Sequence, residues 1–355
     1  MIIVTIIIFI LILGLLIFVH EMGHFIAARL AGVKVEEFGM GFPPRLVAVK
    51  RGETVYSLNA IPLGGFCKLL GEEDPSEPRS LASKRPLTRL LVLGAGPFMN
   101  AVLPIVLLTI AFMVPRLVAL EDVWIEEVAP GSPAEMAGIE AGDIIQSVNG
   151  HSVQNRNDVI YYTHLSLGET TTFQLEDAGG NEKIATLVPR LDPPEGEGPV
   201  GIRFSEEPVN YRTESQAYPF WEAVPKSATT LWETFELIRN EVRSWFARGT
   251  APEVGGPVAI FQLTGEANEA GPSYLLHFAA FLSLNLAIIN ILPLPALDGG
   301  RIIFVLLEVV RRGKRVSPRT EGLVHLVGFM MLIGLILVIT YFDILRVISG
   351  ESFVP

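Results

Sequence analysis

Apolar positions along this chain fall into four long blocks separated by polar stretches of differing character. Ile2 to Val19 is apolar throughout apart from Thr5 and Gly14. No Asp, Glu, Lys or Arg occurs between Arg89 and Arg116, between Glu269 and Asp298, or between Glu321 and Asp343. Each block can hold the ~20 residues that a helix needs to cross a bilayer. Four membrane-spanning helices are therefore expected, at about 2–28, 90–115, 277–309 and 322–342. A cleaved signal peptide, the competing reading of the first block, has a basic start and an apolar core of about 7–15 residues. This block lacks both features and runs straight into His20, Glu21 and His24, which a discarded leader does not need.

Between the blocks the period changes. Alternation in Arg45–Lys50 and Thr54–Leu58 about Arg51-Gly52 predicts a β-hairpin. Glycines and prolines bracket it within 38–71, a segment too apolar for an ordinary loop and read as membrane-associated. Glu72 to Pro78 is a connector rich in acid and proline. In 117–205 the pattern predicts a strand at Val123–Val128, turns at Gly131 and Gly138, and a short helix at Pro133–Ala137. A strand at Asp143–Val148, a helix at about 155–166 and strands at 170–176 and 183–188 follow. That order resembles a PDZ domain of the bacterial protease type, a module that takes extended peptides by adding a strand to a sheet edge. The fold alone does not separate a peptide binder from a spacer. From 220 to 248, Trp221, Val224, Leu231, Trp232, Phe235, Ile238, Val242 and Trp245 recur at helical spacing. They predict an amphipathic helix that either lies on the outer membrane surface or packs against the spans or the module.

The fold class expected is a polytopic α-helical membrane protein with four transmembrane helices, a membrane-associated β-hairpin and one inserted extracytoplasmic PDZ domain. Its organisation reads as a first membrane half (1–115), the PDZ domain (116–210), a connector with the amphipathic helix (211–276) and a second membrane half (277–355).

Composition supports a membrane protein: half of the 355 residues are hydrophobic and only 18% are charged. Charge sets the orientation. Arg311, Arg312, Lys314, Arg315 and Arg319 crowd the link between the last two spans, and residues 29–89 carry ten Lys plus Arg. The longer 116–276 segment has ten as well, but against 25 Asp plus Glu. The positive-inside rule puts the two basic links in the cytoplasm, and both chain ends and the acidic segment outside. A net charge of −11 without a basic patch beyond those links excludes nucleic acid as a partner. The single cysteine, Cys67, allows no intrachain disulfide and reads as a small buried apolar side chain.

The chemistry concentrates in His20-Glu21-Met22-Gly23-His24. On a helix, positions i and i+4 share a face, so both imidazoles can reach one ion. Zinc accepts neutral imidazole, and a catalytic site leaves one of its four positions open for water. Glu21, beside the first ligand, is placed to take a proton from that water. Ionisable groups at the end of an apolar span are costly and mark function. A third ligand is offered in the third apolar block, NLAIINILPLPALDGGRI (285–302), where Asp298 is the only acid between Glu269 and Glu308. Pro293 and Pro295 break the helix and Gly299-Gly300 permits close backbone approach. His151, His164, His277 and His325 lie at no ligand spacing from one another and read as surface, core or interface residues.

HEMGH in the first span, PALDGG in the third and a PDZ-type module between spans two and three resemble the site-2 protease family of intramembrane zinc metalloproteases, most closely its bacterial anti-sigma-factor-cleaving branch. The resemblance covers nearly the whole chain. It implies zinc held by His20, His24 and Asp298, with Glu21 as the catalytic base. It also implies a substrate-binding role for Asn290 and for Asn100, which ends the GAGPFMN motif at 94–100, and for Gly64 and Gly65 in a hairpin that receives substrate as an added strand. The implied function is regulated intramembrane proteolysis in the bacterial inner membrane. Expected partners are membrane lipid, single-span transmembrane substrates (anti-sigma factors or remnant signal peptides) and a peptide for the PDZ domain. One departure stands out: members of the family often carry two PDZ modules, and this chain has room for one. Two other classes use the same features, a metal transporter and an idle PDZ scaffold. Inverted repeats are missing for the first, and the intact Glu21 speaks against the second.

Overall fold

The computed structural model describes residues 2–205, 207–249 and 255–350. Met1 in the first membrane half, Glu206 in the expected PDZ domain, 250–254 in the connector and 351–355 at the chain end lie outside the described residues. The chain forms two units, Met1–Ala111 with Val254–Pro355, and Phe112–Glu253.

In the first unit, α1 (Ile2–Leu30) runs without a break, as its proline-free apolar sequence dictates. Strands β1 (Val35–Arg51) and β2 (Thr54–Leu69) follow, turning at Gly52, whose φ of +65° suits glycine. Arg51 pairs with Thr54 and Lys50 with Val55, as alternation predicted. The ladder is more folded than a simple hairpin. Glu37 to Met40 pair on one side with Val55 to Leu58 and on the other with Gly65 to Lys68, which leaves Gly65–Lys68 as an outer run of this sheet. Helix α2 (Pro86–Met113) carries Pro97 and Pro104 within it.

The second unit holds β3 (Arg116–Val128), α3 (Pro133–Met136), β4 (Ile144–Val148), β5 (His151–Ser152), α4 (Arg156–Leu165), β6 (Thr171–Glu176), β7 (Glu182–Leu187), β8 (Ile202–Phe204), β9 (Val209–Gln216) and α5 (Phe220–Arg248). Its sheet runs β7-β6-β4-β3-β8, with β5 on β4 and β9 on β3, around buried Ile125, Val148, Val159, Phe173 and Leu175. The strand and helix order expected for a PDZ-type module is present, and β8 and β9 add to it. Small and polar positions of α5 are the buried ones. Asn240 Nδ2 donates to the carbonyls of His164 (3.0 Å) and Leu165 (2.8 Å), and Ser244 Oγ to that of Leu191 (2.6 Å). Trp221, Trp232, Phe235 and Phe246 stay exposed on this amphipathic helix.

The chain completes the first unit with α6 (Pro257–Ala270), α7 (Pro272–Ile291), α8 (Asp298–Val310) and α9 (Pro318–Ser349). Helices α1, α2, α7 and α9 are long and apolar enough to cross a membrane. The third expected span, 277–309, is two helices: α7 stops at Ile291 and α8 starts at Asp298, with both prolines in the link. Helix α6 was not foreseen. Its first turn is capped from a distance by buried Asp343 on α9, whose carboxylate accepts the N–H groups of Gly256 (3.2 Å) and Ala259 (3.1 Å). Specific hydrogen bonds join the apolar helices: Ser283 Oγ donates to the Asn100 carbonyl at 2.8 Å and Ser273 Oγ to that of Ala111 at 2.9 Å.

Candidate metal centre and catalytic site

Three side chains from two distant segments converge inside the first unit. His20 and His24, one turn apart on α1, place their Nε2 atoms 3.2 Å from each other. Asp298, the first residue of α8, brings Oδ2 to 3.0 Å from His20 Nε2 and 3.3 Å from His24 Nε2. Metal bonds of about 2.0–2.2 Å in a tetrahedron set neighbouring ligand atoms roughly 3.3 Å apart, so the three separations match the edges of a zinc site. The donor set is right as well, two imidazoles and a carboxylate. Asp298 Oδ2 is buried yet makes no hydrogen bond of acceptable geometry, although both nitrogens stand beside it. An unpartnered buried oxygen between two imidazole nitrogens fits a site in which an ion would lie among the three atoms. Among the described residues this is the one group of three such side chains that could hold an ion.

The imidazoles are oriented from behind. His24 Nδ1 lies 2.9 Å from the Val92 carbonyl, to which its N–H donates, leaving the Nε2 lone pair toward the shared point. His20 Nδ1 lies 3.3 Å from the side-chain amide of Asn100, which is fully buried on α2 and whose Oδ1 has no partner in this orientation. Gly96, one turn before Asn100, is a residue the sequence reading passed over. A methyl group there would collide with His24 Nε2 and stand 2.8 Å from His20 Nε2. Gly23 serves the same approach from the other side, since a Cβ would run into the Ala95 carbonyl. The spacing of small residues in GAGPFMN was the available signal. Gly299 and Gly300 let α8 begin tightly against the end of α7, because side chains there would strike the carbonyls of Ile291, Leu292 and Leu294.

A cavity of about 640 Å³ opens on the cluster, lined by His20, Glu21, His24 and Asp298 and by Asn290, Gly64 and Gly65. Glu21 thus lines the same cavity as the three clustered side chains, beside the outer run of β2. Gly65 is tight: a Cβ would stand 2.7 Å from Ile17 and 3.3 Å from Glu21 Cγ. Gly64 takes φ +105° against the Phe42 ring. Asn100 departs from the expected substrate contact. It is not among the lining residues, because its face of α2 meets the far nitrogen of His20. Arg301 and Lys68 also line the cavity, each ion-paired, with Glu72 and Glu36 respectively.

Residues 8–335 match the profile of Peptidase family M50. A Clostridium perfringens protein that carries the name "Putative zinc metalloprotease" is 38% identical over 93% of this chain and 95% of its own length. Zinc metalloprotease RasP of Geobacillus kaustophilus is 28% identical over 96% of this chain and 97% of its own. A solved PDZ domain of an SdrC-like protein from Listeria innocua is 23% identical over 24% of this chain and 97% of that domain, with a TM-score of 0.22.

Proposed function

The chain belongs to peptidase family M50 and is a zinc metalloprotease, and from that premise we propose that it hydrolyses peptide bonds in or beside the spanning helices of single-span membrane proteins. The observation that carries this reading is the meeting of His20, His24 and Asp298 beside Glu21, with both histidines on a helix long and apolar enough to cross a bilayer. Anti-sigma factors and remnant signal peptides are the substrate classes that fit, in regulated intramembrane proteolysis.

Bound zinc would supply Lewis acidity that makes a water nucleophilic near neutral pH. The residues of the chain do the rest. Glu21 accepts the proton of the attacking water at its carboxylate and delivers it to the leaving amine. Asn290, on the cavity wall, donates to the substrate backbone or to the oxygen on which charge develops. A substrate helix must unwind before attack, which exposes backbone groups that lipid cannot satisfy. The outer run Gly65–Lys68 supplies replacements by pairing with the unwound segment; Gly65 keeps that edge close to Glu21, and Gly64 turns the chain into it against the Phe42 ring. Asn100 orients His20: a half-turn of its amide sets the unpartnered Oδ1 on the His20 Nδ1–H and frees Nε2 for the metal.

The basic links at 29–89 and 311–320 support a cytoplasmic side for the site, with the second unit and both chain ends outside the cell. A peptide for the PDZ-type sheet edge and lipid around the four apolar helices complete the partners.

The test is cleavage of a purified single-span substrate in detergent. The wild type should cut it, a chelator should stop cutting, and zinc should restore it. Glu21→Gln should retain stoichiometric zinc and lose about 10²–10⁴-fold in kcat. Undiminished cleavage by zinc-loaded Glu21→Gln would remove Glu21 from the mechanism.

A further inference from the structure

Helix α9 reads in the sequence as one more apolar span, yet one of its faces is committed to the link between α7 and α8. His325, Gly328, Phe329 and Leu332 recur at helical spacing. His325 Nδ1 accepts the N–H of Ala296 at 2.9 Å. Gly328 lies so close to Pro295 that a Cβ would overlap the proline ring and stand 3.0 Å from its carbonyl oxygen. Phe329 and Leu332 reach the cavity wall.

The segment they touch is strained. Ala296 has φ +75°, left-handed backbone that an L side chain rarely adopts. Within the link, the N–H of Leu294 is bonded to Leu292 and that of Leu297 to Leu294, and Pro295 has none. The Ala296 N–H therefore finds its acceptor outside the link, in His325. Two residues later comes Asp298.

His325 is also a costly choice for packing alone. With Nδ1 accepting, a neutral ring carries its proton on Nε2, and that nitrogen is buried without a partner. An apolar side chain of similar size would avoid this cost, and buried polar atoms left unsatisfied gather where a site demands them.

We propose that the last span latches the third ligand. His325, by bonding the Ala296 N–H, and Gly328, by admitting Pro295, hold the left-handed turn that delivers Asp298 to the two imidazoles. His325 is thus a positioning residue, in contact with neither substrate nor metal. The proposal rests on Asp298 being a ligand.

The experiment uses the full-length protein in detergent and measures zinc affinity by competition with a chromogenic chelator, alongside kcat and KM. His325→Leu should weaken zinc binding about 10-fold or more, the usual scale for losing an outlying support of a ligand, and should lower kcat with KM little changed. His325→Asn should stay near wild type, because its Oδ1 falls where Nδ1 was. Ala296→Gly placed in His325→Leu should recover much of the affinity, since glycine takes the left-handed turn unaided. Should His325→Leu not fold, Gly328→Ala displaces Pro295 and reads the same loss. Wild-type zinc affinity in His325→Leu, or a loss that Ala296→Gly does not relieve, overturns the latch. Asp298→Asn separates the two claims: if it also keeps wild-type affinity, the ligand reading fails, and if it alone loses zinc, only the latch fails.

Discussion

The three proposed ligands come from two regions that solve one problem by opposite means. On α1, His20 and His24 are brought together by the helix itself, one turn apart on an unbroken 29-residue run. Their neighbours only orient the rings: Val92 behind one, Asn100 behind the other and Gly96 in front. Between α7 and α8 the helix is abandoned. Asp298 reaches the site through a six-residue link with a left-handed alanine and a bond from α9, and the glycines that follow it in α8 pack back against that link. A regular element carries its geometry in its own backbone bonds, whereas an irregular one at membrane depth must borrow satisfaction and shape from protein around it.

The largest effect should come from breaking the regular side at its contact with α2. In Gly96→Ala the added methyl occupies space beside both Nε2 atoms, and backbone on a packed helix has little room to retreat. Near-complete loss of zinc from the purified protein is expected, with helical content retained in circular dichroism. Gly94→Ala is the control, because a Cβ there meets nothing within 4 Å. Equal zinc content in the two variants would mean that α2 does not close on the imidazoles as described.

That contrast also explains what could be read in advance. The His20–His24 pair follows from spacing alone, since period 3.6 fixes which side chains share a face. The break at Pro293 and Pro295 was legible because proline cannot continue a helix, and Asp298 stood out as a lone acid in an apolar block. The means by which Asp298 is held were not legible. Ala296 and His325 are 29 residues apart on different elements, and nothing in either neighbourhood marks their bond. Helix α6 escaped for the same reason: its N-terminal cap, Asp343, lies more than 80 residues away. In the second unit the alternating strands were found, but β9, VNYRTESQ, shows no apolar alternation and is strand only because Arg116 to Leu120 pairs with it. Of the candidate site, the residues that converge could be named from the sequence and the contacts that hold them could not. Asn100 shows this best: it was expected on the substrate side, and it lies behind His20, off the cavity wall.

A middle-sized effect should sharpen the α1 side further. If Asn100 accepts the His20 Nδ1–H, Asn100→Leu leaves that N–H unpaired and the tautomer unfixed, and zinc affinity should fall about 10–100-fold. Asn100→Asp keeps an acceptor in place and should hold affinity within a few-fold of wild type. Competition against a chelator at fixed pH measures both. Equal losses in the two would show that the amide works through its NH₂ end, as a donor to Nδ1, which puts the His20 proton on Nε2 and contradicts the orientation proposed for it.

The smallest effect probes whether the regular half of the broken span takes part in ligand placement. Ser283 on α7 donates to the Asn100 carbonyl, so it touches the same residue from the backbone side. Hydrogen bonds between membrane helices average about 0.6 kcal/mol, because the alternative partner in the membrane is seldom far away. Ser283→Ala should therefore lower stability by about that much in a denaturation titration, and zinc affinity should not change measurably. The expectation follows from the division drawn above: α7 as far as Ile291 packs like any membrane helix, and responsibility for Asp298 begins at the link. If Ser283→Ala weakened zinc as much as Asn100→Leu, α7 and α2 would have to move together in placing His20. The two ligand-bearing regions would then be one coupled structure rather than two independent solutions.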